Sequence, residues 1–187
     1  DGGMLLTERP GKLTLLGSDT GKLTIEGVHH EGEGGLLGMA LHPQFEQNHW
    51  LYLYFTSIQN NQVINKVERY TYQDHSLSDG TLIIDNLPGA RYHDGGRIKF
   101  GPDGLLYITT GDAGNPASAQ DLNSLAGKIL RVNEDGSIPA GNPSGTAVYS
   151  YGHRNAQGLA WDSQGRLWAT EHGPSGIESG NDEVNLI

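Results

Sequence analysis

One phrase recurs along this chain and limits what it can fold into: a turn glycine, a short apolar strand, then Thr-Glu and a basic residue. Gly2-Gly3-Met4-Leu5-Leu6-Thr7-Glu8-Arg9 has this form, and Gly165-Arg166-Leu167-Trp168-Ala169-Thr170-Glu171-His172 repeats it. Asp103-Gly104-Leu105-Leu106-Tyr107-Ile108-Thr109-Thr110-Gly111-Asp112 has the same shape, and Trp50-Leu51-Tyr52-Leu53-Tyr54-Phe55-Thr56 is a looser copy. The strands begin near positions 3, 50, 105 and 166, so the spacing is roughly 47 to 61 residues. Propeller blades recur at about 40–50 residues and lengthen with loop insertions. A sandwich or barrel is the structural alternative, but neither needs one phrase at such intervals.

The segments between these strands carry hairpin signals. Lys12–Leu16 and Lys22–Ile25 flank Ser18-Asp19-Thr20-Gly21, a turn by composition. Val63–Tyr72 and Thr81–Ile84 flank a Ser/Asp/Gly loop, and Lys128–Val132 leads into Asn133-Glu134-Asp135-Gly136. Glycine, at 28 of 187 residues, is about twice its average share, which favours tight turns over long helices. Only Ser118–Leu125 has helical character. The expectation is an all-β chain of about three blades and part of a fourth, forming one partial propeller domain over residues 1–187. Such a set does not close a ring. The chain opens inside a turn and ends on the alternating Asp182-Glu183-Val184-Asn185-Leu186-Ile187, so both ends read as cut from a longer protein.

Charge and composition narrow the function. The net charge of −10 repels phosphate backbones and argues against a nucleic-acid partner. The surplus of carboxylates suits calcium, although a solvated acidic surface is the commoner explanation. With no cysteine, the chain has no disulfides, thiolate nucleophiles, iron–sulfur clusters or thiolate zinc sites. No apolar run approaches the ~18 residues of a membrane span.

Residues able to carry chemistry gather at the strand ends. His93-Asp94-Gly95-Gly96 precedes one strand and Gly111-Asp112-Ala113-Gly114 follows the next, and antiparallel neighbours return to the same end of a sheet. A neutral imidazole is a base near pH 7, and a carboxylate on its other nitrogen fixes the tautomer. On motif statistics alone, a surface-loop histidine and a turn aspartate explain the two more often. Arg154-Asn155 offers directed donors for a carboxylate or quinone oxygen, with a salt bridge to a nearby acid as the simpler reading. Glu171-His172-Gly173-Pro174 with Asp182-Glu183 offers carbonyls and carboxylates, hard oxygen ligands for calcium, or simply an acidic loop. Gly32–Gly38 imitates a dinucleotide fingerprint without a βαβ unit. His29, His30, His42 and His49 lack zincin spacing. Ser144, Ser150 and Ser163 lack a nucleophile-elbow setting.

Five segments, in order, carry a family resemblance: Gly32–Phe45 (GEGGLLGMALHPQF), His93–Gly104 (HDGGRIKFGPDG), Leu125–Val132 (LAGKILRV), Tyr151–Gly158 (YGHRNAQG) and Glu171–Pro174 (EHGP). Through them nearly the whole chain resembles about the N-terminal half of the pyrroloquinoline-quinone-dependent glucose/sorbosone dehydrogenases, most of all the aldose sugar dehydrogenase branch. The resemblance implies a six-bladed β-propeller, pyrroloquinoline quinone and Ca2+ as cofactors, an aldose sugar oxidised at its anomeric carbon to the lactone, and a periplasmic or secreted location. It implies that His93 is the catalytic base and Asp112 its orienting partner. Arg154 and Asn155 match the cofactor-binding pair, and Glu33 stands where some members have a cofactor-contacting glutamine. Gly173 and Pro174 match the turn whose carbonyls bind the cofactor's calcium. Glu183, with Asp182, resembles part of a second, structural calcium site. A calcium-dependent lactonase on a similar propeller and a non-catalytic binding propeller remain open. The resemblance leaves the electron acceptor unnamed, and it implies that self-association or C-terminal blades beyond Ile187 cover the open edges.

Overall fold

The computed structural model describes residues 3–17, 20–174 and 180–187, and its fold is four antiparallel sheets laid down in chain order. The first sheet is β1 (Met4–Glu8), β2 (Lys12–Leu16) and β3 (Gly21–Thr24). The second is β4 (Leu36–Leu41), β5 (Trp50–Gln59), β6 (Gln62–Gln73) and β7 (Ser76–Pro88). The third is β8 (Ile98–Phe100), β9 (Leu106–Thr110), β10 (Lys128–Val132) and β11 (Val148–Tyr151), and the fourth is β12 (Ala156–Trp161), β13 (Leu167–Glu171) and β14 (Glu183–Leu186). Within each sheet every strand pairs with the one before it in sequence. The four copies of the recurring phrase are β1, β5, β9 and β13, and the last three are each second in their sheet.

Burial explains why β5 reads as an unbroken apolar run. Leu51, Leu53 and Phe55 pack with Leu13 and Ile25 of the first sheet's side, while Tyr52 and Tyr54 pack with Ile98, Ile108 and Leu130 of the third. A strand covered on both faces has no polar face to alternate with. β9 repeats the arrangement, since Tyr107 turns to Leu159, Leu167 and Ala169 of the fourth sheet. β1 is covered on one side only, and its Met4 and Leu6 are exposed. Truncating a fully buried residue such as Leu53 to alanine should cost about 2–5 kcal/mol, the usual range for a core cavity.

Local structure departs from the sequence expectation in three places. The Ser/Asp/Gly segment expected as a loop is strand: Asp74 and His75, with φ of 48° and 59°, close a two-residue turn, and β7 resumes at Ser76. Both central residues at positive φ match the twist of the flanking strands, so no longer loop is needed. Register shifts along β6 and β7 absorb the poor strand formers around Asp79 and Gly80. The helical turn α2 spans Pro116–Gln120, earlier than expected, because Pro116 presets the backbone of a first turn. A second short helix, α1 (Phe45–Asn48), has too few residues for periodicity to reveal. Asp1, Gly2, Ser18 and Asp19 lie outside the described residues. Among the described residues, no helix is long and apolar enough to cross a membrane.

Candidate active site

Pairing of β8 with β9, Ile98 opposite Ile108, brings the segment before β8 and the segment after β9 to one end of the third sheet. There His93 Nδ1 lies 2.7 Å from Asp112 Oδ1, which also accepts the Gly114 amide at 2.8 Å. The carboxylate assigns the proton to Nδ1 and leaves the lone pair on Nε2. No hydrogen bond among the described residues engages Nε2. The His93 side chain keeps 17% of its surface exposed and Asp112 only 2%.

The backbone at His93 is in the left-handed region, φ 63°, which costs a non-glycine residue on the order of 1 kcal/mol and persists only where its surroundings enforce it. Three groups enforce it. The His93 amide donates to Glu33 Oε2 at 2.8 Å, its carbonyl accepts the Ala113 amide at 3.3 Å, and that carbonyl packs so closely on Gly111 that a Cβ there would collide with it. Glu33 thus has a structural partner as well as its place at the site.

The loop between β11 and β12 supplies Arg154 and Asn155. The Asp112 amide donates to the Arg154 carbonyl at 2.8 Å, which ties this loop to the His93–Asp112 pair. The Arg154 guanidinium donates to the His172 carbonyl at 3.2 Å and makes no ion pair among the described residues. Asn155 is buried. Its Oδ1 accepts the Gly95 amide at 3.0 Å and Gln157 Nε2 at 3.1 Å.

Beneath this loop is a network that the sequence reading overlooked. His153 places Nδ1 2.8 Å from Glu171 Oε2 and Nε2 2.8 Å from Ser150 Oγ, and Glu171 Oε1 accepts the Arg154 amide. Burial alone would raise the Glu171 carboxyl, but hydrogen bonds from His153 and the Arg154 amide outweigh it and hold the group below its usual range. The available signal was separation: His153 and Glu171 are 18 residues apart and His93 and Asp112 are 19, the same return across neighbouring segments.

Gly173, Pro174, Asp182 and Glu183 flank residues outside the described set. The Gly173 amide donates to Asp182 Oδ1 at 2.9 Å, and Glu183 begins β14 opposite Glu171 with its Oε2 on Asn185 Nδ2 at 2.9 Å. Among the described residues, no three His, Asp or Glu side chains gather as a metal cluster. The donors present are backbone carbonyls and exposed carboxylates, oxygen throughout, which is the chemistry calcium takes with water or ligand oxygens completing the shell.

Where the sheets converge, β1, β4, the segment before β8 and the start of β12 line one cleft of about 350 Å³. Arg9, Glu33, Asp94, Arg97, Asn155 and His172 supply its polar wall. His93 and Arg154 lie outside that lining, each one residue from a member of it. Arg97 Nε donates to the Gln157 carbonyl at 2.9 Å and Arg9 to the Gly32 carbonyl, and neither pairs with an acid among the described residues. Among the described residues, Arg9 and Arg97 in this wall and Arg154 beside it have no carboxylate partner, while Glu33 and Asp94 add two carboxylates to the same wall.

Comparison with known proteins places these residues in context. Quinoprotein glucose dehydrogenase B of Acinetobacter calcoaceticus is 35% identical over 226 residues, covering 100% of this chain and 46% of that protein. Aldose sugar dehydrogenase YliI of Escherichia coli is 33% identical, covering 98% of this chain and 53% of that one. The solved structure of the PQQ-bound form of aldose sugar dehydrogenase from Streptomyces coelicolor superposes with a TM-score of 0.89 at 42% identity, covering 100% of this chain and 57% of that chain. The chain spans about half the length of the curated relatives it matches. The glucose/sorbosone dehydrogenase family model matches residues 1–187, and the chain belongs to that family.

Proposed function

We propose that this chain forms part of a pyrroloquinoline-quinone-dependent aldose sugar dehydrogenase, oxidising the anomeric carbon to the lactone. The observation that carries the reading is the His93–Asp112 pair, with its outward nitrogen unoccupied, held one backbone hydrogen bond from the Arg154–Asn155 loop. His93 Nε2 accepts the proton of the anomeric hydroxyl as the carbon–hydrogen bond breaks, and Asp112 steadies the imidazolium that forms. Arg154 supplies positive charge beside the developing oxyanion, and Asn155 Nδ2 supplies a directed donor. When bound, the quinone provides the hydride acceptor that no side chain can. Gly173 and Pro174 carbonyls would hold its calcium, and Asp182 and Glu183 a structural ion. Glu33 would meet the cofactor with the carboxylate oxygen that His93 leaves free.

The architecture belongs to the same proposal. Convergence of β1, β4 and β12 on one cleft supports a propeller with its channel there, six-bladed in the complete ring, with residues 1–187 supplying about three blades and part of a fourth within a single domain. A periplasmic or secreted location follows from the family reading.

The test is reconstitution with quinone and Ca2+, followed by dye reduction with a panel of aldoses. Quinone-dependent turnover that collapses in His93→Ala, with quinone binding retained, is the expected result. Calcium-dependent lactone hydrolysis without quinone, or partner binding without turnover of any sugar, would overturn it.

A further inference from the structure

Asp94 follows His93 in sequence and is only 2% exposed, yet its Oδ2 is the one buried side-chain oxygen or nitrogen among the described residues that has no hydrogen-bond partner. Everything else about the residue is tightly held. Oδ1 accepts the Ala90 amide at 3.0 Å and Asn65 Nδ2 at 3.1 Å, and the Asp94 carbonyl accepts Tyr54 Oη at 2.7 Å. Asn65 Oδ1 in turn accepts Thr56 Oγ1 at 2.7 Å, and Thr56 Oγ1 accepts the Gly35 amide at 3.1 Å. A chain of side chains buried in the second sheet therefore runs from the glycine stretch before β4, through β5 and β6, to the residue behind the proposed base.

We propose that Asp94 is a positioning residue for His93: held by Ala90, Asn65 and Tyr54, it locks the His93 backbone and so aims the imidazole at Asp112. This rests on the reading of His93 as the base. The left-handed backbone of His93 relaxes toward commoner conformations unless both flanks are fixed. Glu33 fixes its amide, and Asp94 fixes the residue that follows. A buried carboxylate oxygen without a protein partner is costly to charge, so an uncharged side chain of the same shape suits the position. Burial pushes the Asp94 carboxyl upward and the nearby Glu33 charge adds to this, against hydrogen bonds from Ala90 and Asn65 and the charge of His93. Asparagine keeps the Oδ1 acceptor and places an uncharged group at Oδ2.

The experiment is ring-nitrogen NMR of ¹⁵N-histidine-labelled protein, with His93 assigned from His93→Ala, together with melting curves and sugar-oxidation kinetics. Asp94→Ala should shift His93 from the Nδ1–H tautomer toward a tautomer mixture and lower kcat about ten- to hundredfold with KM within about threefold, the expected scale for a misaimed base. Asp94→Asn should restore both the tautomer and kcat. A merely structural Asp94 would lower the melting temperature in Asp94→Ala and leave the ring signals unmoved, which overturns the proposal. So does Asp94→Asn behaving like Asp94→Ala. If Asp94→Ala does not fold, Asn65→Ala removes one donor to Oδ1, and an unchanged His93 tautomer there is equally fatal. The ring signals report positioning whether or not His93 proves to be the base, so failure of that reading, seen as near-normal turnover in His93→Ala, is told apart from failure of this one.

Discussion

Two histidines in this chain lean Nδ1 on a carboxylate at almost the same distance, His93 on Asp112 at 2.7 Å and His153 on Glu171 at 2.8 Å. They differ in what the other nitrogen does. His153 Nε2 faces Ser150 Oγ, with both members of the pair below a tenth exposed, so the ring is satisfied on both sides. His93 Nε2 is unengaged and the ring reaches solvent. A base needs one nitrogen fixed and the other free, and of these two rings His93 alone meets both conditions. Ser150, His153 and Glu171 have the spacing of a nucleophile, base and orienting acid, yet none of them lines the cleft beside His93. Their geometry is that of an anchor for the Arg154 amide.

The comparison breaks most sharply under substitution of the two rings. In the quinone-loaded complete enzyme, His93→Ala should lower turnover by about 10²–10⁴, the usual contribution of a general base, with a melting temperature close to the parent's. Turnover within about threefold of the parent would erase the distinction. His153→Ala should reverse the pattern: removing one side of a buried pair costs about 3–5 kcal/mol of unfolding free energy, measured by denaturant titration, and any loss of turnover should follow the folded fraction. Ser150→Ala sharpens the point at smaller scale. It should cost about 1 kcal/mol of stability and leave sugar oxidation unchanged, whereas a reactive serine would be labelled by an organophosphate in the parent and not in the variant.

The smallest effect concerns pH. The Asp94 carboxyl lies above the usual 3.8 when folded, so the folded state holds that proton more tightly than the unfolded one. Its contribution is complete below 3.8 and is lost as pH rises through the folded value. Asp94→Asn does not titrate there, so its melting temperature relative to the parent should climb from pH 3 toward pH 7. A constant difference would mean that the Asp94 carboxyl titrates alike in the folded and unfolded chain.

Strand positions were legible because apolar runs and glycine turns are local properties. β5 and β9 stood out since burial on both faces forces an uninterrupted apolar run. The meeting of His93 with Asp112 was half legible: antiparallel neighbours return to the same end of a sheet, but motif statistics alone favoured a surface-loop histidine and a turn aspartate. The Ser76–Gly80 stretch was misread because two residues at positive φ let composition typical of a loop lie in a hairpin. Nothing local foretells that Glu33 would reach the His93 amide from 60 residues away, or that Asn65 would reach Asp94 across 29. Such contacts depend on how neighbouring sheets face one another.

The hydrogen bonds that cross between sheets at this end of the molecule, Glu33 to His93, Gly95 to Asn155 and Asp112 to Arg154, have a consequence for how the protein tolerates change. Each site segment borrows its shape from the repeat beside it, so no segment can be lengthened or grafted from a relative without its neighbour. Among the described residues, the turns at Asn60-Asn61 and Asp74-His75 have no such ties and close only their own hairpins. Insertions, epitope tags and surface-attachment handles belong at those turns. Amide exchange at Gly95 and Asp112 should proceed at the pace of the looser of the two sheets that share them, making these amides reporters of cooperativity between repeats.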